Sequence, residues 1–277
     1  MTFTKPLRQS PKVTWPDKAT LPTMYDLPSE NPEEPGLPDE FHDYQPALLS
    51  ETFKLQDYTS ENSFSAADLN LYYDPQHNWY KRPDWFGVLG KPAGCDNNEL
   101  RLSYVVWQEE LSPFVAVELI SPGTEDEDFG RTLNQHGRPP TKWTVYEKNL
   151  QVPYYVIYDR YDDVLSGFQL SGNQYQPIEI GSDRKIWLPE AKAGLGLWLG
   201  KYKRFTRTWL RWYDDSGWIP TEQEASEQQI IVERTAKEQA QQEADTAQQE
   251  AEKAREKNAR LQAKLKELGI DVADFES

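Results

Sequence analysis

The chain has 277 residues, with 10 Trp, 15 Tyr and 10 Phe, enough for one good-sized domain plus an appendage. Its 46 acidic and 30 basic residues give a formal net charge of −16, a poor footprint for nonspecific attraction to nucleic acid, where Lys and Arg dominate. A single cysteine, Cys95, excludes an intrachain disulfide, and with only His42, His77 and His136 beside it no zinc-ligand spacing exists, so any metal has to sit on oxygen ligands.

In chain order, residues 1–36 are rich in Pro and acids and read as an extended arm. A helix is expected from Gln45 to Tyr58, with Leu48, Leu49 and Phe53 at helical spacing and Pro46 in its first turn. Strands are expected at Leu69–Tyr73, Trp85–Leu89, Arg101–Trp107 and Phe114–Ile120, and a short helix at Lys142–Leu150, ended by Pro153. Tyr154–Tyr158 reads as a strand, and Val164–Leu170 with Tyr175–Ile180 as a hairpin around Ser171-Gly172-Asn173-Gln174. Strand, helix, strand and hairpin in that order imply an α/β domain with a mixed sheet over residues 37–219.

Residues 220–277 differ in character. From Thr221 to Leu268 there is no Pro, Gly or aromatic residue, and Ala, Gln, Glu, Lys and Arg dominate. Ala244, Ala251, Asn258 and Leu265 at a, with Ala247, Ala254, Leu261 and Leu268 at d, give eight positions in a 3-4 rhythm. A coiled-coil homodimer is the expectation, with Asn258 favouring two registered strands and Glu250 facing Arg255 across a parallel pair. A solvated single helix, or one folded back on its own domain, is the competing reading, because an Ala seam buries little. The helix should stop at Gly269. No apolar window approaches the roughly 18 residues of a membrane span, and the N-terminus lacks a signal's apolar stretch, so no membrane partner and a cytoplasmic location are expected.

The chemistry starts from Phe114–Pro122, an almost unbroken apolar run with one carboxylate, Glu118, inside it. Burying an unpaired carboxylate costs on the order of several kcal/mol or shifts its pKa until it neutralises, so Glu118 is expected to meet a cation, a metal ion or a strong donor. Asp84 stands at the start of the strand before it, directly after Pro83. Two carboxylates on neighbouring strands form a minimal Mg²⁺ site, with the backbone carbonyl of Leu119 as a further oxygen. Such a site beside a phosphodiester polarises the phosphorus and activates water while a lysine steadies the developing charge, and Lys142 is the candidate.

Other readings stand beside these. Asp84 also suits a cap or turn, Glu118 a structural partnership with Arg82 or Arg101, and Lys142 a solvated helix face. Glu125–Asp128 reads as a solvated acidic loop rather than a second metal site. Gly194, Gly196, Gly200 and Lys201 miss the phosphate-loop spacing, and no Ser or Thr follows the lysine. Trp209-Leu210-Arg211-Trp212-Tyr213 reads as an aromatic final strand packed on the core in preference to a base-stacking platform.

Taken as an ordered set, Pro83-Asp84, Val117-Glu118-Leu119-Ile120-Ser121-Pro122 with Thr124, Lys142 with Tyr146, and Val152-Pro153 with Tyr155-Val156-Ile157 and Asp159 resemble the Uma2 family, which is abundant in cyanobacteria. The resemblance covers residues 37–218 and extends to the Ala/Glu/Gln-rich tail. It implies the restriction-endonuclease-like fold of the PD-(D/E)XK superfamily, with Asp84 and Glu118 as metal ligands and Lys142 as the catalytic lysine. The superfamily's usual Glu-x-Lys is absent, because Ile120 stands two residues after Glu118, so the lysine comes from the following helix, one turn before Tyr146. The implied function is a Mg²⁺-dependent endonuclease hydrolysing DNA phosphodiester bonds, with Mn²⁺ as an alternative metal. The rival is a noncatalytic nuclease-like scaffold that acts as a coiled-coil interaction module, which the acidic charge favours.

Overall fold

The structure, a computed structural model, describes residues 39–59, 61–90, 100–121, 125–134 and 137–268. The expected N-terminal arm, Cys95, Pro122, Thr124 and the helix stop at Gly269 lie outside them. The chain divides into two compact units, Met1–Ile219 and Pro220–Ser277.

Helix α1 spans Glu40–Thr52, with Asp39 as its N-cap accepting from the main-chain N–H groups of Phe41 and His42. The expected helix at 45–58 is therefore corrected: it starts five residues earlier and ends six earlier, leaving Pro46 in its interior. The Asp cap followed by Glu40 and Asp43 in the first turn satisfies the free N–H groups and the helix dipole. That start signal outweighs the preference of proline for a first turn.

Strands follow as β1 (Ser63–Ala67), β2 (Leu71–Asp74), β3 (Trp79–Lys81), β4 (Trp85–Leu89), β5 (Tyr104–Val105), β6 (Val115–Leu119), β7 (Tyr154–Asp159), β8 (Val164–Ser171) and β9 (Gln174–Pro177). The expected strand over 101–107 is reduced to β5, because the chain turns into a short helix α2 (Val106–Glu109), and the hairpin's second strand is shorter than expected. The main sheet has six strands in the order β1-β4-β6-β7-β8-β9, and only the β6–β7 pair is parallel. This is the mixed α/β architecture. A small sheet, β3-β2-β5, lies beside it in the same unit.

Side chains alternate across the main sheet with the strand period of two. Val115, Val117 and Leu119 enter one buried cluster together with Trp85, Leu48, Leu49 and Trp209. Ala116 and Ile120 enter the other, with Phe86, Val88, Tyr146 and Tyr155. Glu118 falls on that second face. The sheet is thus buried on both sides, which is why β6 and β7 read as continuous apolar runs.

A second sheet, β10 (Lys185–Leu188), β11 (Ala193–Tyr202), β12 (Phe205–Asp214) and β13 (Gly217–Trp218), is antiparallel throughout and closes the first cluster. Trp209 and Trp212 of β12 are fully buried there, so the aromatic stretch packs on the core as expected, although β13 and not β12 is the last strand. The Gly194–Lys201 segment lies inside β11, and a Cβ at Gly194 would meet the Ile186 carbonyl oxygen at 2.2 Å. Close strand packing therefore accounts for that glycine. Gln45 of α1 reaches β12 from the side, donating to the Leu210 carbonyl (2.7 Å) and accepting from its N–H (2.9 Å). Two such bonds to a buried strand contribute about 2 kcal/mol and fix the helix against the sheet.

Two short segments carry the chain between β6 and β7. Helix α3 (Glu125–Asp128) is a single turn, and α4 starts at Lys142–Thr144, capped by Thr141, then widens into a π-turn at Val145–Asn149. The expected regular helix over 142–150 is corrected on this point. Widened turns of this kind are frequent at functional sites.

Among its described residues the second unit is one helix, α5 (Glu222–Glu267, 46 residues), opened by a capping box between Thr221 and Glu224. At 1.5 Å per residue it runs about 69 Å. None of its residues is buried in the single chain, and Ile230, Ile231, Val232 and Leu261 are exposed. Along it, same-face pairs such as Arg234 with Glu238 support the helix locally.

Candidate active site

The antiparallel register of β4 and β6 pairs Trp85 with Val117, and one further step sets Asp84 opposite Glu118. The two residues lock each other through the main chain. The N–H of Asp84 donates to Glu118 Oε2 (3.3 Å), and the N–H of Leu119 donates to Asp84 Oδ2 (2.6 Å). By strand alternation both side chains lie on the face that carries Phe86, Ala116 and Ile120.

Glu118 is fully buried, and α4 supplies its partners from successive turns. Lys142 Nζ donates to Oε2 at 2.8 Å, and the Tyr146 hydroxyl donates to Oε1 at 2.8 Å. The i, i+4 spacing puts both donors on one helix face, so they fork onto one carboxylate. Of the two arginines expected as structural partners, Arg82 pairs with Asp68 and Arg101 with Glu109, while Glu118 pairs with Lys142. Lys142 is 21% exposed, not a solvated surface lysine.

Sequence reasoning missed Asp128. The run Glu125–Asp128, expected to be a solvated loop, is corrected in its second half. Asp128 is buried, with Oδ1 3.6 Å from Lys142 Nζ, and the Tyr155 hydroxyl donates to its main-chain carbonyl (3.0 Å). Glu127 pairs with Lys81 (2.9 Å) and accepts from the main-chain N–H of Lys142 (3.3 Å). His42 is the second omission. Its ring Nδ1 donates to Asp39 Oδ1 (3.0 Å), while Nε2 lies 3.0 Å from Ser121 Oγ and 3.4 Å from the Leu119 carbonyl oxygen. Arg160 completes the row by pairing with Asp39. The signal that could have found His42 is its position three residues after a capping Asp; Asp128 carried none beyond its charge.

The electrostatics of this cluster tell one story. Burial, with the neighbouring Asp84 carboxylate adding to it, pushes Glu118 up to about 7, although Lys142 pulls the other way. Burial likewise raises Asp84 against the pull of Lys142. Lys142 itself, despite burial, is held well above its ordinary value by Glu118, Asp128 and Asp84. One ammonium shared among three carboxylates stays charged, and the carboxylates still lack positive charge. Burial pulls His42 down, but the hydrogen bond to Asp39 and the Asp84 charge outweigh it and leave the imidazole raised.

The donor set fits a hard divalent cation. Among the described residues no group of three or more His, Cys, Asp or Glu side chains closes on one point. A cation between Asp84 and Glu118 would take two carboxylates and complete its shell with water or main-chain oxygen, the preference of Mg²⁺ rather than of zinc. Three carboxylates against one ammonium also leave a charge deficit that a divalent ion balances.

Over residues 15–200 the chain matches the Uma2 family, described as "Putative restriction endonuclease". No curated protein matches it. That match spans well over half of the chain and takes in Asp84, Glu118, Asp128, Lys142 and Tyr146. The chain therefore belongs to the Uma2 family and carries a restriction-endonuclease-like domain.

Proposed function

We propose that the protein is a divalent-metal-dependent endonuclease that hydrolyses DNA phosphodiester bonds. In this reading Asp84 and Glu118 hold Mg²⁺, or Mn²⁺ in its place, and Lys142 stabilises the transition state. The observation that carries it is the Asp84–Glu118–Lys142 cluster, buried at Glu118, half-buried at the other two and short of positive charge, on adjoining strands and the following helix. Membership of a family of restriction-endonuclease-like proteins supports the reaction class.

A divalent cation held by Asp84 and Glu118 would polarise a phosphate oxygen and lower the pKa of a nearby water. The remaining work belongs to the chain. The Leu119 N–H and the Tyr146 hydroxyl fix one oxygen each of Asp84 and Glu118, so the carboxylates need no reorganisation during the reaction. Lys142 remains an ammonium and donates to a phosphate oxygen as negative charge develops there. The proposed partner is DNA, and α5 is the proposed homodimer element, which would carry two cutting centres in one assembly.

The net charge of −16 and a 46-residue helix with no buried residue favour a second reading, a noncatalytic scaffold that works through its tail. A cleavage assay separates the two. Purified full-length protein should nick or cut plasmid DNA with Mg²⁺ or Mn²⁺, lose the activity in EDTA, and lose it in Asp84→Asn and Glu118→Gln. Cleavage that persists in either variant removes these residues from the active site; no cleavage of any DNA by wild-type protein favours the scaffold.

A further inference from the structure

We propose that Asp128 is a positioning residue that receives the Lys142 ammonium when a divalent cation takes the Glu118 carboxylate. The inference rests on the metal reading of Asp84 and Glu118 and adds a role for a residue outside that pair. Lys142 Nζ now occupies Glu118 Oε2 at 2.8 Å, one of the oxygens a cation would need. A lysine and a divalent ion cannot both hold that oxygen at close range without strong repulsion. Cation binding therefore displaces the ammonium, and an ammonium in this largely enclosed place needs another carboxylate to pair with.

Asp128 Oδ1 stands 3.6 Å from Nζ, close enough for a side-chain rotation to convert the approach into a direct ion pair. Its place is built by the fold. The Tyr155 hydroxyl, rooted in β7, pins the Asp128 carbonyl, and the preceding residue, Glu127, holds the main-chain N–H of Lys142. Two consecutive acidic residues thus address the two ends of one lysine. Glu127 is itself anchored by Lys81. The hand-over keeps Lys142 charged and inside the site, where a phosphate oxygen can take it from Asp128 in turn.

The test is a double-mutant cycle on full-length protein with Ca²⁺ as a hard, non-turnover probe, read by titration calorimetry. Asp128→Asn should weaken Ca²⁺ binding by about tenfold more in the wild-type background than in Lys142→Met, because only the former has an ammonium to rehouse. The loss that remains in Lys142→Met is the plain through-space effect of one carboxylate. Equal losses in both backgrounds overturn the proposal, and a loss in Lys142→Met as large as that caused by Asp84→Asn would make Asp128 a ligand instead. Crystals of the wild-type protein with Ca²⁺ give a readout that needs no variant to fold. Nζ should sit within hydrogen-bond distance of Asp128 and away from Glu118; an Nζ still on Glu118 beside a bound ion overturns the inference alone. If Ca²⁺ binds neither Asp84 nor Glu118, the metal reading itself is overturned, and the inference with it.

Discussion

Asp84 and Glu118 hold each other through crossed main-chain contacts: the N–H of Asp84 reaches the carboxylate of Glu118, and the N–H after Glu118 reaches the carboxylate of Asp84. Both donors are backbone N–H groups of two paired strands, so the sheet itself orients the two carboxylates. The site is consequently preorganised by the sheet, with α4 supplying the adjustable groups.

Tyr146→Phe removes the donor on Glu118 Oε1 and leaves the ring packed among Tyr155 and its neighbours. Loss of a hydrogen bond to a charged group should weaken divalent-ion binding or turnover by about 10- to 100-fold, with only a small change in Tm. Calorimetry and melting curves on the same preparation check it. An unchanged ion affinity and rate would show that Glu118 needs no second donor.

Lys142→Ala should lower kcat by about 10²- to 10³-fold without weakening divalent-ion affinity, since the ammonium competes for the ion's oxygen and acts on the phosphate. Lys142→Arg should rescue poorly, because the planar guanidinium does not fit the place of a compact ammonium. Steady-state kinetics against metal concentration is the measurement. Normal cutting by Lys142→Ala would remove the lysine from catalysis.

The pH dependence of stability follows from Glu118. In the metal-free protein its carboxyl keeps a proton up to about 7, while in the unfolded chain it ionises near 4.5. The folded state therefore binds more protons between those values, and this group lowers stability as pH rises through the window, by about 3 kcal/mol in total. Urea unfolding at pH 5 and pH 8 should show that decline in wild-type protein and lose it in Glu118→Gln. Saturating Mg²⁺ at pH 8 should restore stability to wild type only. A wild-type curve with the same slope as Glu118→Gln contradicts the assignment.

The tail should set the oligomeric state, because its 3-4 Ala/Leu seam is exposed in the single chain. Truncation at Pro220 should give a folded monomer, and full-length protein a dimer, by analytical ultracentrifugation. Asn258→Leu should raise stability while loosening the choice of oligomer. Identical sedimentation of full-length and truncated protein would place dimerisation elsewhere or nowhere.

Glu118 was legible in the sequence because a charge inside an apolar strand has a physical cost that demands partners. Asp84 was legible by its place at the head of the neighbouring strand, and the long helix by its composition. Lys142 needed the family resemblance, since nothing local distinguishes it from a surface lysine. Asp128 was not legible, and His42 only as a residue three places after a capping Asp, because their burial depends on how distant segments return to the sheet: Tyr155 pins one, and the Leu119 carbonyl with Ser121 meets the other. The strand β1 and most of the second sheet were hidden for a related reason. Gly194 and Gly196 look like loop residues until Ile186 and Tyr213 are packed against one and Lys185 and Trp218 against the other. Helix α1 was misplaced because Pro46 invited a first turn that the Asp39 cap had already claimed.

The central claim is that Asp84 and Glu118 share one divalent cation, and anomalous scattering from crystals soaked in Mn²⁺ tests it most directly. The account predicts a single strong peak within about 2.5 Å of an oxygen from each carboxylate. A well-ordered site with no peak there, or a peak that touches neither Asp84 nor Glu118, would contradict it.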